Sequence, residues 1–226
     1  MQADFATKLE QALSAERLAA YRQRLGQNSN HTLFSHYAWN MALSESLYPA
    51  LQALEVTLRN SIHGAAAQHF GWADWYNDTH IIHHHNDVGA LNKAKTMLTR
   101  QRKPLDSGRI IAELNFGFWT SMLDKRYEQV LWPQLLKTAF PHMPRKIRTR
   151  KTLSLRFHKI RQLRNRIFHH EPIWYWQDLQ QQHEQILEAI SWIEPAVRDL
   201  VMTVDRFPPI YQVGLQEIER QFGKFC

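Results

Sequence analysis

Three residues in the stretch "LRNRIFHHEPIW" (residues 163–174), Arg164, Asn165 and His169, have the chemistry needed to cut RNA without a metal. Such cleavage needs a base to take the 2′-hydroxyl proton, an acid to protonate the departing 5′-oxygen, and a cation to hold the phosphorane. Histidine titrates near neutrality and fills either proton role. Arginine presents a planar fork to two phosphate oxygens, and an asparagine beside it can orient a ring, a phosphate or nearby backbone. On an ideal helix, residues five apart point about 140° from one another. Arg164 and His169 therefore converge only if the helix ends or bulges between them. Pro172 biases Glu171 out of helical geometry, which puts a break within reach. At a helix C-terminus the dipole would favour the protonated form of His169, and Glu171 would do the same or fix its tautomer. A purely structural alternative pairs Arg164 with Glu171 and leaves His170 to cap the helix.

The same stretch closes a concentrated basic run. Arg145, Lys146, Arg148, Arg150, Lys151, Arg156, Lys159, Arg161, Arg164 and Arg166 lie within 22 positions that hold no acid. The whole chain of 226 residues carries a formal charge of +7, yet outside this run 18 bases stand against 21 acids. A self-repelling block of this kind points to an anionic partner, of which nucleic acid is the commonest. A solvated helix face is the plain alternative. Ile147, Leu153, Leu155, Phe157, Ile160 and Leu163 interleave the bases, so the segment reads as an anchored helix and not as a tail.

A second cluster, "HIIHHHND", brings His80, His83, His84 and Asp87 close in sequence. On a helix, His80, His83 and His84 would share a face, one way to hold zinc. The cluster lacks the His-Glu-x-x-His order of a metalloprotease, and Cys226 is the sole cysteine, so a solvated polar loop is the competing reading. No metal site is assigned; these four residues are candidates for a metal-dependent hydrolase.

The elements that must position these groups are helical throughout. Apolar residues recur at helical spacing over 4–25, with Gly26 as a stop. "LFSHYAWNMALSESLY" reads as a second helix, interrupted or restarted at Pro49, and Leu51, Leu54, Leu58 and Ile62 stripe the next. On that helix Glu55 and Arg59 are either a surface pair or, with Asn60, support for the catalytic segment. Residues 72–90 read as a loop at first, with an ending able to start a helix near Asn86 or Asp87, 88–101 as a short basic helix, and "DSGRIIAELNFGFWTSML" as another, whose Gly117 allows close approach of a second helix or a kink. The basic helix follows, then a long helix over 178–200 and a short terminal one. The expectation is one all-α domain over 1–226, with a peripheral subdomain near 72–110. The N-terminus has no secretory h-region, no run of about 18 apolar residues appears, and the lone Cys226 permits no internal disulfide. A cytoplasmic protein away from the membrane is expected.

These motifs resemble a known family. "LRNRIFHHEPIW" looks like the hallmark of the Abi-like (abortive infection) proteins of the HEPN superfamily, with Arg164, Asn165 and His169 filling its Arg, polar and His positions. "YPALQALEVTLRNSIH" resembles the family's upstream helix and "FGFWTSML" its middle segment, so the likeness is spread over about residues 48–176. The resemblance implies a multi-helix HEPN-like bundle with additional peripheral helices. It implies a metal-independent endoribonuclease, free of cofactors, that acts as a toxin-like effector of phage defence. It further implies a homodimer whose two motifs form one composite site, and a protein or RNA antitoxin as partner. His170 also satisfies the family spacing, so the two histidines stay undistinguished. Some members carry a tyrosine two residues after the histidine, which a partner antitoxin modifies; this sequence has Glu171 there. A catalytically silent RNA-binding or assembly module on the same fold is the second reading.

Overall fold

Helical periodicity dominates because apolar side chains recur every three or four positions along most of the chain. The computed structural model describes residues 3–225, and among them there are helices and turns but no strand, so the protein is all-α. The helices are α1 (Ala3–Leu13), α2 (Ala15–Leu25), α3 (Asn30–Phe70), α4 (His85–Arg100), α5 (Ser107–Glu113), α6 (Phe116–Ser121), α7 (Trp132–Ala139), α8 (Arg150–Phe168), α9 (Leu179–Ile193), α10 (Pro195–Met202) and α11 (Phe207–Phe222). Met1, Gln2 and Cys226 lie outside the described residues, and with them the cysteine and the first residues of the N-terminal stretch.

The chain divides into two compact units. The first contains Met1–Pro49, Leu163–His183 and Val204–Cys226, and the second Ala50–Gln162 and Glu184–Thr203. In the first unit, Ala6, Leu18, Tyr21, Leu33 and Phe34 form a buried cluster, with Leu9, Leu13, Tyr37, Trp174 and Phe222 packed against it. The second unit holds the stretch 72–110 and buries Leu51, Leu54, Leu58, Ile62, Trp75, Trp119 and Phe157. Its polar ties include Trp132 Nε1 donating to the Met122 carbonyl at 2.7 Å and Ser61 Oγ donating to the Ala139 carbonyl at 2.5 Å.

Several helix boundaries depart from the periodicity. The expected helix over 4–25 is two helices, because Ser14 takes a left-handed φ of 66° and its side chain caps α2. Pro49 neither interrupts nor restarts α3, which runs 41 residues through it. A proline inside a helix costs about 3 kcal/mol, whereas each fully buried leucine contributes roughly 1.5–3 kcal/mol. Leu43, Leu47, Leu51, Leu54 and Leu58 are all buried along α3 and outweigh that cost.

The expected helix over "DSGRIIAELNFGFWTSML" breaks at Asn115, whose side chain accepts from the Phe118 amide at 3.0 Å and starts α6. Gly117 accommodates that cap: a Cβ there would sit 3.0 Å from Asn115 Oδ1, so the glycine serves its own turn and not a second helix. The long helix expected over 178–200 is α9 and α10, separated at Glu194, which caps the Ala196 amide ahead of Pro195.

Candidate active site

α8 begins later than its charge pattern suggests. Residues 144–147 form a turn, with the Ile147 and Arg148 amides bonded to the Pro144 carbonyl, and Thr149 Oγ1 caps the Thr152 amide at 3.1 Å. Arg145 and Lys146 therefore precede the helix and stand exposed, as does Lys151 in its first turn. Much of the remaining basic run is bonded within the second unit. Arg148 donates to the Met143 and Pro141 carbonyls, and Arg150 reaches the Leu123 carbonyl and Glu128. Arg156 pairs with Glu188 at 2.6 Å, bonds the Gln185 carbonyl and lies over Trp192, while Arg161 bonds Thr120. Lys159 is half-buried on the same helix. The block is thus neither a solvated face nor wholly available to a ligand: its clearly exposed cations are Arg145, Lys146 and Lys151.

The end of α8 lies in the first unit and stops in a defined way. The His169 amide bonds the Asn165 carbonyl at 2.9 Å, the His170 amide bonds the Ile167 carbonyl at 3.0 Å, and the Glu171 amide reaches back to the Arg166 carbonyl at 2.8 Å. This is a Schellman termination with His170 at the left-handed position, φ 57°. Glycine usually occupies that place, and a histidine there is strained by about 1–2 kcal/mol. Arg17, on α2, donates from Nη1 to the carbonyls of both His169 and His170 at 3.0 Å. A cation at the negative end of the helix dipole holds the terminus. Past Pro172, buried Asn40 of α3 accepts from the Ile173 amide at 2.7 Å and the Trp174 amide at 3.2 Å.

The side chains sort into two groups. Asn165 and His169 are four apart, exposed, and share one face of the helix. Arg164 lays its guanidinium carbon 4.0 Å from the ring centre of Phe168, whose ring stacks on Tyr48 at 5.8 Å and 30°. Phe168, Tyr48 and His170 line a pocket of about 460 Å³ with Ser44, Glu45, Pro49, Ile167 and Arg206. The helical amide bond of His169 keeps it about 140° around the axis from Arg164. The helix ends close to the expected place, with the helical ladder running as far as the His169 amide. Glu171 pairs with Arg166 at 3.2 Å, and Arg166 also lies 5.5 Å from the Trp176 ring. The two adjacent histidines, undistinguished by spacing, have distinct surroundings: His170 faces the pocket and His169 sits with Asn165.

The remaining candidates belong to the second unit. Arg59 donates to the Ala112 carbonyl and to Asn60 Oδ1, each at 3.4 Å, and anchors α5 to its own helix; Glu55 is half-buried one turn earlier. The histidine cluster does not form the shared face that spacing allowed. Residues 79–84 are turn and loop, α4 starts only at His85, and Ile81 and Ile82 are buried, leaving His80 and His83 exposed around them. Asp87 is buried with both oxygens engaged, by Ser121 Oγ at 2.7 Å and Tyr127 Oη at 2.8 Å. Burial, with the adjacent Asp87 carboxylate, pushes the Tyr127 hydroxyl pKa up and keeps it a donor. His84 stands 3.8 Å from Asp87, and among the described residues no three His, Cys, Asp or Glu side chains are grouped to hold a metal ion. Asp87 is a structural hub that ties Ser121 and Tyr127 to α4.

Sequence patterning gave no sign of Arg17, Asn40 or Tyr48, because each acts on α8 or the segment after it from more than 100 residues away. Set against family models, curated proteins and solved structures, the chain matches none. Among the described residues no helix is long and apolar enough to cross a membrane.

Proposed function

We propose that this protein is a metal-independent endoribonuclease of the HEPN type, with Asn165 and His169 on one face of the α8 terminus and Arg164 on the other as its working groups. The observation that carries the reading is the terminus itself. A helix that could have ended on glycine ends on an exposed histidine pair, with His170 held in a left-handed conformation and both histidine carbonyls fixed by Arg17. Strain retained against a simpler alternative is a pointer to function. In the reaction, His169 exchanges the proton of the attacking 2′-hydroxyl or of the leaving 5′-oxygen. Asn165, one turn earlier on its face, orients the ring or the scissile phosphate. Arg164 neutralises the phosphorane; in the second unit, by itself, the exposed Arg145, Lys146 and Lys151 are the candidates for phosphate contacts. Two histidines are needed for base and acid, so the site is composite, made by two copies of the chain. By the resemblance of its motifs, the biological role is that of a toxin-like effector of abortive infection, restrained by an antitoxin.

The test is incubation of the purified protein with total RNA in EDTA, beside His169→Ala. Cleavage by the wild type alone, leaving 2′,3′-cyclic phosphate ends, is expected. Equal cleavage by both proteins removes His169 from the mechanism. RNA bound in a salt-dependent manner but left intact by both would favour the silent binding module, a reading supported by the separation of Arg164 from His169 within one chain.

A further inference from the structure

The pocket beside the α8 terminus has a composition that catalysis at His169 does not explain. Its apolar wall is the Tyr48–Phe168 pair, stacked at 5.8 Å, with the Arg164 guanidinium against the Phe168 ring. Both rings remain well exposed, 47% for Tyr48 and 41% for Phe168. Exposed aromatic faces beside arginines form a platform on which unpaired bases stack. The volume of about 460 Å³ falls in the range of small-ligand sites. The pocket lining also includes Glu45 and Arg206, which form an ion pair, together with Ser44 and His170. The pair thus offers acceptor oxygens and guanidinium donors side by side.

Among the four RNA bases, guanine alone carries two adjacent N–H donors on its pairing edge, at N1 and N2, with acceptors at O6 and N7 on the neighbouring edge. A carboxylate takes the first pair in a fork, and an arginine serves the second. Adenine and cytosine present a single amino donor, and uracil a single imide N–H. We propose that this pocket is a guanine-specificity site, holding an unstacked guanine of the RNA against Tyr48 and Phe168, with Glu45 reading N1 and N2 and Arg206 reading O6 or N7. The proposal rests on the ribonuclease reading for its substrate, and it makes the enzyme cut beside guanine.

Two measurements separate the failure of one reading from the failure of the other. Binding of GMP, AMP, CMP and UMP, and of single-stranded pentamers containing one guanine or none, is measured by calorimetry on wild type, Tyr48→Leu and Glu45→Gln. Cleavage of pentamers with each base beside the scissile bond is measured in parallel. GMP is expected to bind at least tenfold tighter than the other nucleotides, and the guanine pentamer tighter still. Tyr48→Leu should weaken GMP binding about tenfold or more, and Glu45→Gln should collapse the ratio between GMP and AMP. Both side chains are exposed, so folding is not at stake. Cleavage of all pentamers at one rate, with equal nucleotide affinities, overturns the pocket and leaves the ribonuclease standing. GMP selectivity without cleavage of any RNA sinks the ribonuclease and supports the guanine pocket. A guanine pentamer that binds no tighter than GMP makes the site one for free nucleotides and overturns the RNA assignment. A Tyr48→Leu protein that changes oligomeric state while keeping its base ratios shows a subunit interface instead.

Discussion

Replacing His170 by glycine separates what its backbone does to stop the helix from what its imidazole does beside it. At φ 57° a histidine is strained by about 1–2 kcal/mol, which glycine relieves. Glycine also frees the unfolded chain, which costs about 0.4–1 kcal/mol. The imidazole is exposed, so little packing is lost, and the Arg17 bonds to the 169 and 170 carbonyls are backbone contacts that glycine keeps. The net expectation is a gain of about 0.5–1 kcal/mol, or a melting temperature raised by roughly 2 °C for a chain of this size. In the cleavage assay His170→Gly should stay within about tenfold of wild type, because only a wall of the pocket is removed, whereas His169→Ala should lose activity outright. A loss of more than about 1 kcal/mol in stability would show that the left-handed residue is not strained. A His170→Gly protein as inactive as His169→Ala would transfer the proton role to His170 and refute the assignment by helix face.

Asn40→Ala leaves the buried amides of Ile173 and Trp174 without an acceptor, at about 1–3 kcal/mol each; urea denaturation should show a loss of at least 2 kcal/mol. Asp87→Ala strands the Ser121 and Tyr127 hydroxyls and should destabilise by about 2–4 kcal/mol, equally with zinc or EDTA present; a zinc-dependent difference would revive the metal reading. Burial holds His63 below its ordinary value of 6.5, and Trp75 Nε1 donates to its Nδ1 at 3.2 Å, which requires that nitrogen unprotonated. The unfolded ring takes a proton near 6.5 and the folded one only at lower pH. The stability is therefore present above about pH 6.5 and lost as pH falls through the lowered value. Denaturation midpoints between pH 7 and 5 should fall more steeply for wild type than for His63→Gln, and parallel curves would contradict this.

The helical class was legible because the period of three to four persists along nearly the whole chain. Boundaries were lost where a single residue overrode the pattern: Ser14 by its backbone, Asn115 and Glu194 by capping. At Pro49 the error ran the other way, since local propensity predicts a break and burial of the flanking leucines prevents it. The place of the helix stop was readable from Arg164 to Pro172. What holds it was not, because a hydrogen bond from Arg17 or to Asn40 leaves no periodicity behind. The basic run shows the same limit. Spacing counts charges, but whether Arg156 meets RNA or Glu188 depends on a partner 32 residues away.

Helix geometry also sets what one copy of the chain can do. Asn165 and His169 lie about 40° apart around α8, and Arg164 and Phe168 likewise, while Arg164 and His169 are separated by about 140°. The guanidinium held over Phe168 lies on a different side of the helix from His169. Under the ribonuclease reading, Arg164 of one copy therefore serves a phosphate that His169 of another attacks, and a two-fold axis makes that arrangement reciprocal. Arg164→Ala and His169→Ala should each be inactive alone. Wild type unfolded and refolded with an excess of His169→Ala should lose activity as the square of the wild-type fraction, because a mixed dimer retains only one of the two histidines that base and acid require. Activity that falls only in proportion to the wild-type fraction would place the whole reaction within a single chain, and the helix terminus would have to rearrange to perform it.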